Sequence, residues 1–199
     1  MLCALVMGWG WLLTTRLESS VGAQDDDLAR WFADERTAAL SDVADLGALA
    51  GETVVGVTGL LLIGVAFSAG QRSWLPLVFV LLVDAGIGLI YHLGTTLNPR
   101  DRPSVKLLDA GLVADHSFPS GHVGTATALF GCAAVLVWLY ARAARWSTPL
   151  LLVPPVLCLL ARLYQGAHHL TDVVTSLAYT SLWIAAVASL VLHRDQTTA

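Results

Sequence analysis

The sequence predicts an all-α fold: a polytopic membrane helix bundle of about six transmembrane helices, with short amphipathic surface helices after the first. Two observations carry this reading. Of 199 residues, 56% are hydrophobic and only 13% are charged, far from the composition of an ordinary soluble domain. The apolar residues also gather into runs close to the roughly 20 residues that a helix needs to cross a bilayer. The formal net charge is −4 and no run of Lys or Arg occurs, which argues against a nucleic-acid partner or a polybasic lipid anchor. Cys3, Cys132 and Cys158 lie in apolar segments without metal-type spacing and read as small core hydrophobes.

Taken in order, residues 1–17 form a short first span, with Trp9 and Trp11 towards a membrane interface. A signal peptide is the alternative. Val21-Gly22-Ala23 would be its small-residue cleavage site, but no positively charged stretch precedes the apolar run. Residues 18–52 are acidic and only intermittently apolar; Leu28, Trp31, Phe32, Ala39, Leu40 and Val43 recur as in amphipathic helices on a membrane surface. Asp25-Asp26-Asp27 reads as a solvated helix start, where carboxylates complement the dipole. Five longer runs follow, at 53–70, 74–96, 119–140, 148–167 and 170–192, so that residues 53–192 make the main helix bundle within a single domain, 1–199.

Inside the spans, Gly56, Gly59, Gly64, Gly86 and Gly88 are expected to let helices approach closely. Asp84 needs a partner and is expected to find an interhelical hydrogen bond near Gly86 and Gly88; His92 lies closer to the outer face. Arg72, Arg142 and Arg145 in tight connections, with Arg194, mark the cytoplasmic side, and His193 reads as an interface residue. The acidic segment, the loop 97–118 and the turn at His168 then face outwards. Arg100, Arg102, Lys106 and Arg162 fall on that outer face against the positive-inside rule, and binding an anion would account for them.

Three polar clusters converge there: Arg100-Asp101-Arg102-Pro103, the stretch SFPSGH at 117–122, and residues 162–172. Ionisable groups at membrane depth are costly and suggest a functional site. Pro119 suits a first helical turn, while Ser120 and Gly121 present backbone N–H groups at a positive dipole end, a ready anion cradle. His168 and Asp172, four apart, are expected to share a helix face, the carboxylate fixing the imidazole tautomer and freeing the other nitrogen. His122 supplies a second imidazole. Two histidines, two arginines and a helix N-terminus, with no hydroxyl or thiol nucleophile that has its own base, point to phosphoryl chemistry: one His attacks phosphorus and the other protonates the leaving oxygen. His169 points about 100° away from His168 and reads as a headgroup-level residue, and His116 as an entrance or solvated loop histidine.

These residues resemble the type 2 phosphatidic acid phosphatase superfamily, known by three blocks, KxxxxxxRP, PSGH and SRxxxxxHxxxD. Pro119-Ser120-Gly121-His122 is identical to the second block, and Arg162, His168 and Asp172 match the third, with Ala161 in place of its Ser. Arg102-Pro103 fits the first, but its Lys position holds Thr95; Lys106 lies on the other side of Arg102. The resemblance implies that His168 becomes a phosphohistidine, Asp172 orients it and His122 protonates the leaving group. It further implies that Arg102, Arg162, Ser120 and the Gly121 N–H hold phosphate oxygens, with no metal and no other cofactor. Arg100, two residues from Arg102, is expected to fill the place of the missing Lys.

The implied activity is a lipid phosphatase of the cell membrane, its site on the extracytoplasmic side. A polyprenyl diphosphate left there by glycan export is the first expectation for substrate. Phosphatidylglycerophosphate, phosphatidic acid and polyprenyl-phosphate sugars follow. Preference for Arg over Lys fits a GC-rich bacterial source. Two other classes compete: a metal-dependent hydrolase ligated by His116, His122, His168 and Asp172, and a non-catalytic lipid-binding or transport protein on the same scaffold.

Overall fold

The computed structural model describes residues 1–192, and His193 and Arg194 lie outside the described residues. The chain runs α1 (Leu2–Thr15), a π-helical turn, α2 (Ala23–Asp34), α3 (Ala38–Leu49), α4 (Thr53–Gln71), α5 (Leu75–Leu97), α6 (Gly121–Tyr140), a 3-10 turn, α7 (Thr148–Leu151), α8 (Val153–Tyr164) and α9 (Leu170–Val191). Five segments are long and apolar enough to cross a membrane: α4, α5, α6, Arg142–Tyr164 and α9; α1 is a shorter apolar helix. At about 1.5 Å per residue, the 23-residue α5 reaches roughly 34 Å, enough for a hydrocarbon core of about 30 Å.

Within the bundle, α4 packs on α5 and α6, α9 packs on α6 and α5, and α3 lies along α8. Phe79, Val80 and Val83 of α5, Cys132 and Leu136 of α6, and Tyr179, Ile184 and Val187 of α9 form the core, joined by Val6 and Leu13 of α1. Lipid tails are as apolar as leucine, so close packing rather than expulsion from water holds these helices together. The glycines behave accordingly. A methyl on Gly56 would stand 2.0 Å from Thr125 Cγ2, and one on Gly86 would stand 2.2 Å from Trp183 Nε1. Gly88 departs from the expectation, since nothing lies within 4 Å of where its side chain would be. It opens instead on the cavity described below.

The first helix packs against α5 and α9, with Trp9 donating to Thr175 Oγ1 at 3.0 Å and Asn98 Nδ2 donating to the Met7 carbonyl at 3.2 Å. Trp11 is exposed, as an interface anchor would be. The amphipathic reading of residues 18–52 corresponds to α2 and α3; Leu40, Val43, Leu46 and Leu49 of α3 face outwards. The solvated reading of the Asp run fails at Asp25, which is 5% exposed and ion-paired to Arg100. Asp84 makes no hydrogen bond among the described residues and faces the same cavity as Gly88. The interhelical bond near Gly86 runs instead from Trp183 Nε1 to the Leu82 carbonyl, 3.2 Å.

Candidate active site

The loop between α5 and α6 folds back on itself. Arg100 N donates to the Asp115 carbonyl, Ser117 N to the Arg100 carbonyl and Arg102 N to the Ala114 carbonyl, at 2.9–3.1 Å. This sets Phe118 and Pro119 against the end of α5, where only glycine fits: a methyl on Gly94 would stand 2.4 Å from Pro119 Cδ. Ser120 then caps α6, its Oγ accepting from Val123 N at 3.4 Å, and Gly121 and His122 open the helix. On the opposite wall α8 ends at Tyr164, because Gly166 turns the chain with φ +70°. Residues 165–169 therefore form a turn between helices, and His168 sits in that turn rather than on α9.

The expectation that His168 and Asp172 share a helix face is accordingly corrected: α9 starts only at Leu170. Asp172 occupies its first turn and reaches back to accept from the His169 main-chain N–H at 2.9 Å, as helix-start carboxylates do. The same oxygen accepts from Ser117 Oγ at 2.6 Å, while the other accepts from Arg100 Nη1 at 2.5 Å. His168 instead donates through Nδ1 to the Ser117 carbonyl at 2.7 Å. Since a carbonyl only accepts, Nδ1 carries the proton and Nε2 is left with its lone pair. Asp172 thus reaches His168 through Ser117, whose hydroxyl and carbonyl serve the two in turn.

His168 and His122 line one cavity of about 370 Å³ with Gly121, Arg102, His116 and Tyr91. Burial pushes the His168 pKa well below the usual imidazole range, and the positive charges of Arg162 and Arg102 push it the same way. The ring is therefore neutral near pH 7, as a nucleophile requires. Arg162 is fully buried. Its Nη1 donates to Asp109 Oδ2 and to Gln165 Oε1, each at 2.8 Å, while Nε and Nη2 have no hydrogen-bond partner. Burying donors unpaired is expensive, and these two are available to an acceptor. Arg102 Nε donates to the Val113 carbonyl at 2.9 Å, Nη1 to Ala167 and Nη2 to His116 at 3.2 Å; it both ties the His168 turn in place and lines the cavity. Burial and the neighbouring Arg162 lower the Arg102 pKa, the mark of a crowded cationic site.

Two expectations for this site do not hold. Arg100 does not take the place of the missing Lys: it pairs with Asp25 Oδ2 at 2.9 Å and with Asp172 and does not line the cavity of the histidines. Burial opposes its charge, but the Asp172 and Asp25 carboxylates more than offset this and hold its pKa above the ordinary value. Thr95 itself is buried and bonds its own helix, donating to the Tyr91 and His92 carbonyls, each at 3.1 Å. His169, read as a headgroup-level residue, is 7% exposed; Nδ1 lies 3.2 Å from Asp172 and Nε2 3.3 Å from Asp26. Sequence reasoning also missed Ser117, Asp109 and Glu52, the last lying 3.3 Å from His122 Nε2. Only Ser117, next to the PSGH block, carried a local signal. Among the described residues no three His, Cys, Asp or Glu side chains gather so as to hold a metal ion.

A polytopic helical membrane protein with two imidazoles, an arginine and a helix N-terminus around one cavity, and a second arginine buried behind it with unpaired donors, defines a class, the membrane-embedded phosphatases. Within it, the chain belongs to the PAP2 superfamily, whose family model matches residues 73–196. Its fold is similar to the crystal structure of a transmembrane PAP2-type phosphatidylglycerolphosphate phosphatase from Bacillus subtilis. The TM-score is 0.80 at 20% identity, over 99% of this chain and 97% of that one. No curated protein sequence matches the chain.

Proposed function

We propose that residues 1–199 act as one metal-independent lipid phosphatase that works through a phosphohistidine on His168 at the extracytoplasmic face, with a polyprenyl diphosphate as substrate. The observation that carries this is a neutral His168 on the cavity wall, its Nε2 unprotonated, within the electrostatic reach of buried Arg162, two of whose N–H groups have no partner. In the first step Nε2 attacks phosphorus and His122 protonates the departing oxygen. Arg162, Arg102, Ser120 and the Gly121 N–H receive the three equatorial oxygens, where charge grows in the transition state. In the second step His122 takes a proton from water as that water attacks the phosphohistidine, and inorganic phosphate leaves. With Thr95 in the Lys position, Arg102 and Arg162 are the guanidinium groups left for the phosphate. Asp172 holds His168 through Ser117, and Arg100 serves Asp172 rather than substrate.

A second reading, a phosphatidylglycerophosphate phosphatase, is favoured by the fold similarity to the B. subtilis enzyme of that name. Phosphate release from polyprenyl diphosphate, phosphatidylglycerophosphate, phosphatidic acid and a polyprenyl-phosphate sugar, measured on purified protein with and without chelator, decides between the two. A chelator-resistant preference for the diphosphate, lost in His168→Ala, is expected. Release that survives His168→Ala overturns the nucleophile, and loss on chelation overturns the metal-independent reading.

A further inference from the structure

Resting on the reading of His122 as the acid, we infer that Glu52 is its positioning residue, forming a carboxylate–imidazole dyad that no family block contains. Glu52 belongs to the acidic segment before the bundle, 70 positions from His122, and stands at the start of α4. Its carboxylate Oε1 lies 3.3 Å from His122 Nε2. The approach is built into the backbone. Gly51 is buried beneath the N-terminus of α6, where a methyl would stand 2.4 Å from the His122 carbonyl oxygen and 2.8 Å from Cys158 Sγ. Only glycine lets the α3–α4 turn come close enough to hand its next residue to the histidine ring.

The charges around His122 explain what such a residue does. Asp109 is already paired with Arg162 at 2.8 Å. Glu52 is thus the carboxylate that meets the ring itself. With Nε2–H committed to Glu52, Nδ1 is the nitrogen left for the cavity that His122 lines. When Nδ1 gives its proton to the departing oxygen, Nε2–H stays on the ring and its bond to Glu52 persists. In the second step Nδ1 takes a proton from the attacking water, and the imidazolium is restored beside the same carboxylate. A buried aspartate does this for the histidine of a catalytic triad. Here the Glu52 side chain is 52% exposed, so solvent weakens the pair and the effect is correspondingly smaller.

The test uses two substrates that share the phosphoryl group and differ in the leaving oxygen. An alkyl phosphate needs its leaving group protonated, whereas p-nitrophenyl phosphate expels an anion that is stable by itself. In Glu52→Gln, kcat/KM for the alkyl ester is expected to fall about fivefold to tenfold, with less than a twofold change for the aryl ester, and Glu52→Asp is expected to recover part of the loss. An equal loss on both esters marks a structural residue and overturns the inference, as does an unchanged alkyl rate. His122→Asn separates the two levels of the argument. A selective alkyl loss in His122→Asn with a silent Glu52→Gln removes only Glu52, whereas no selective loss in His122→Asn removes the acid assignment on which it rests.

Discussion

At the His168 ring, burial and two nearby guanidinium groups favour the neutral form, and the consequence for stability has a definite sign. The folded value is lowered from about 6.5, so the contribution of this residue is complete above pH 6.5 and is lost as the pH falls from there towards the folded value. Thermal unfolding of the detergent-solubilised protein between pH 7.5 and 4.5 should therefore lose stability more steeply than that of His168→Asn, which takes up no proton. Equal slopes would count against a buried neutral histidine. Arg162 makes a different demand. A lysine there keeps the charge beside Asp109 but lacks the planar fork whose Nε and Nη2 are unpaired. Arg162→Lys is expected to lower kcat/KM about 100-fold with the fold retained, as measured by phosphate release alongside circular dichroism. Both positions were picked out by the spacing of Arg162, His168 and Asp172 taken together with the PSGH block. The route from Asp172 to His168 was not, because a four-residue spacing specifies a shared face only inside a helix, and Gly166 delays the start of α9 until after His168.

Among the helices, α2 and α9 meet across a charge cluster that fastens the outer segment to the site. Asp25 of α2 accepts from Thr171 N at 3.3 Å and from Thr171 Oγ1 at 2.5 Å, so a carboxylate from one helix caps the positive end of another. Arg100 lies between Asp25 and Asp172, 9% exposed, and also donates to Thr171 Oγ1 at 2.7 Å. Removing one member of such a cluster leaves buried charge uncompensated, which typically costs about 3–5 kcal/mol. Arg100→Met is accordingly expected to lose most of its activity through reduced stability, with a lowered Tm and a markedly lower yield of folded protein. A variant with wild-type Tm and a raised KM would instead return Arg100 to the phosphate site. That residues 18–52 hold short amphipathic helices follows from the spacing of Leu28, Trp31, Phe32, Leu40 and Val43; where α2 and α3 begin and end does not. The burial of Asp25 does not, because three consecutive aspartates read locally as solvated whether or not a guanidinium waits in another loop.

For the whole molecule, the connectivity puts Arg72, Arg142 and Arg145 at the end of the bundle opposite His122 and His168. If that end is cytoplasmic, a membrane-impermeant thiol reagent should label Ala110→Cys, exposed in the site-end loop, in intact cells. Ala143→Cys, exposed at the other end, should be labelled only after permeabilisation, and the reverse pattern would invert the proposed orientation. Composition and run length by themselves determined an all-helical membrane bundle and the places of its spans, because the bilayer demands long apolar stretches whatever their partners are. The resemblance carried by a few polar residues pointed to the family, which the match over residues 73–196 shows. Only the tertiary structure decided which charge meets which. Arg100 with Asp25, Arg162 with Asp109 and Glu52 with His122 are separated by 75, 53 and 70 positions. A one-dimensional pattern records the period of an element, whereas these pairings depend on how closely elements pack, down to the absent side chains of Gly51 and Gly94.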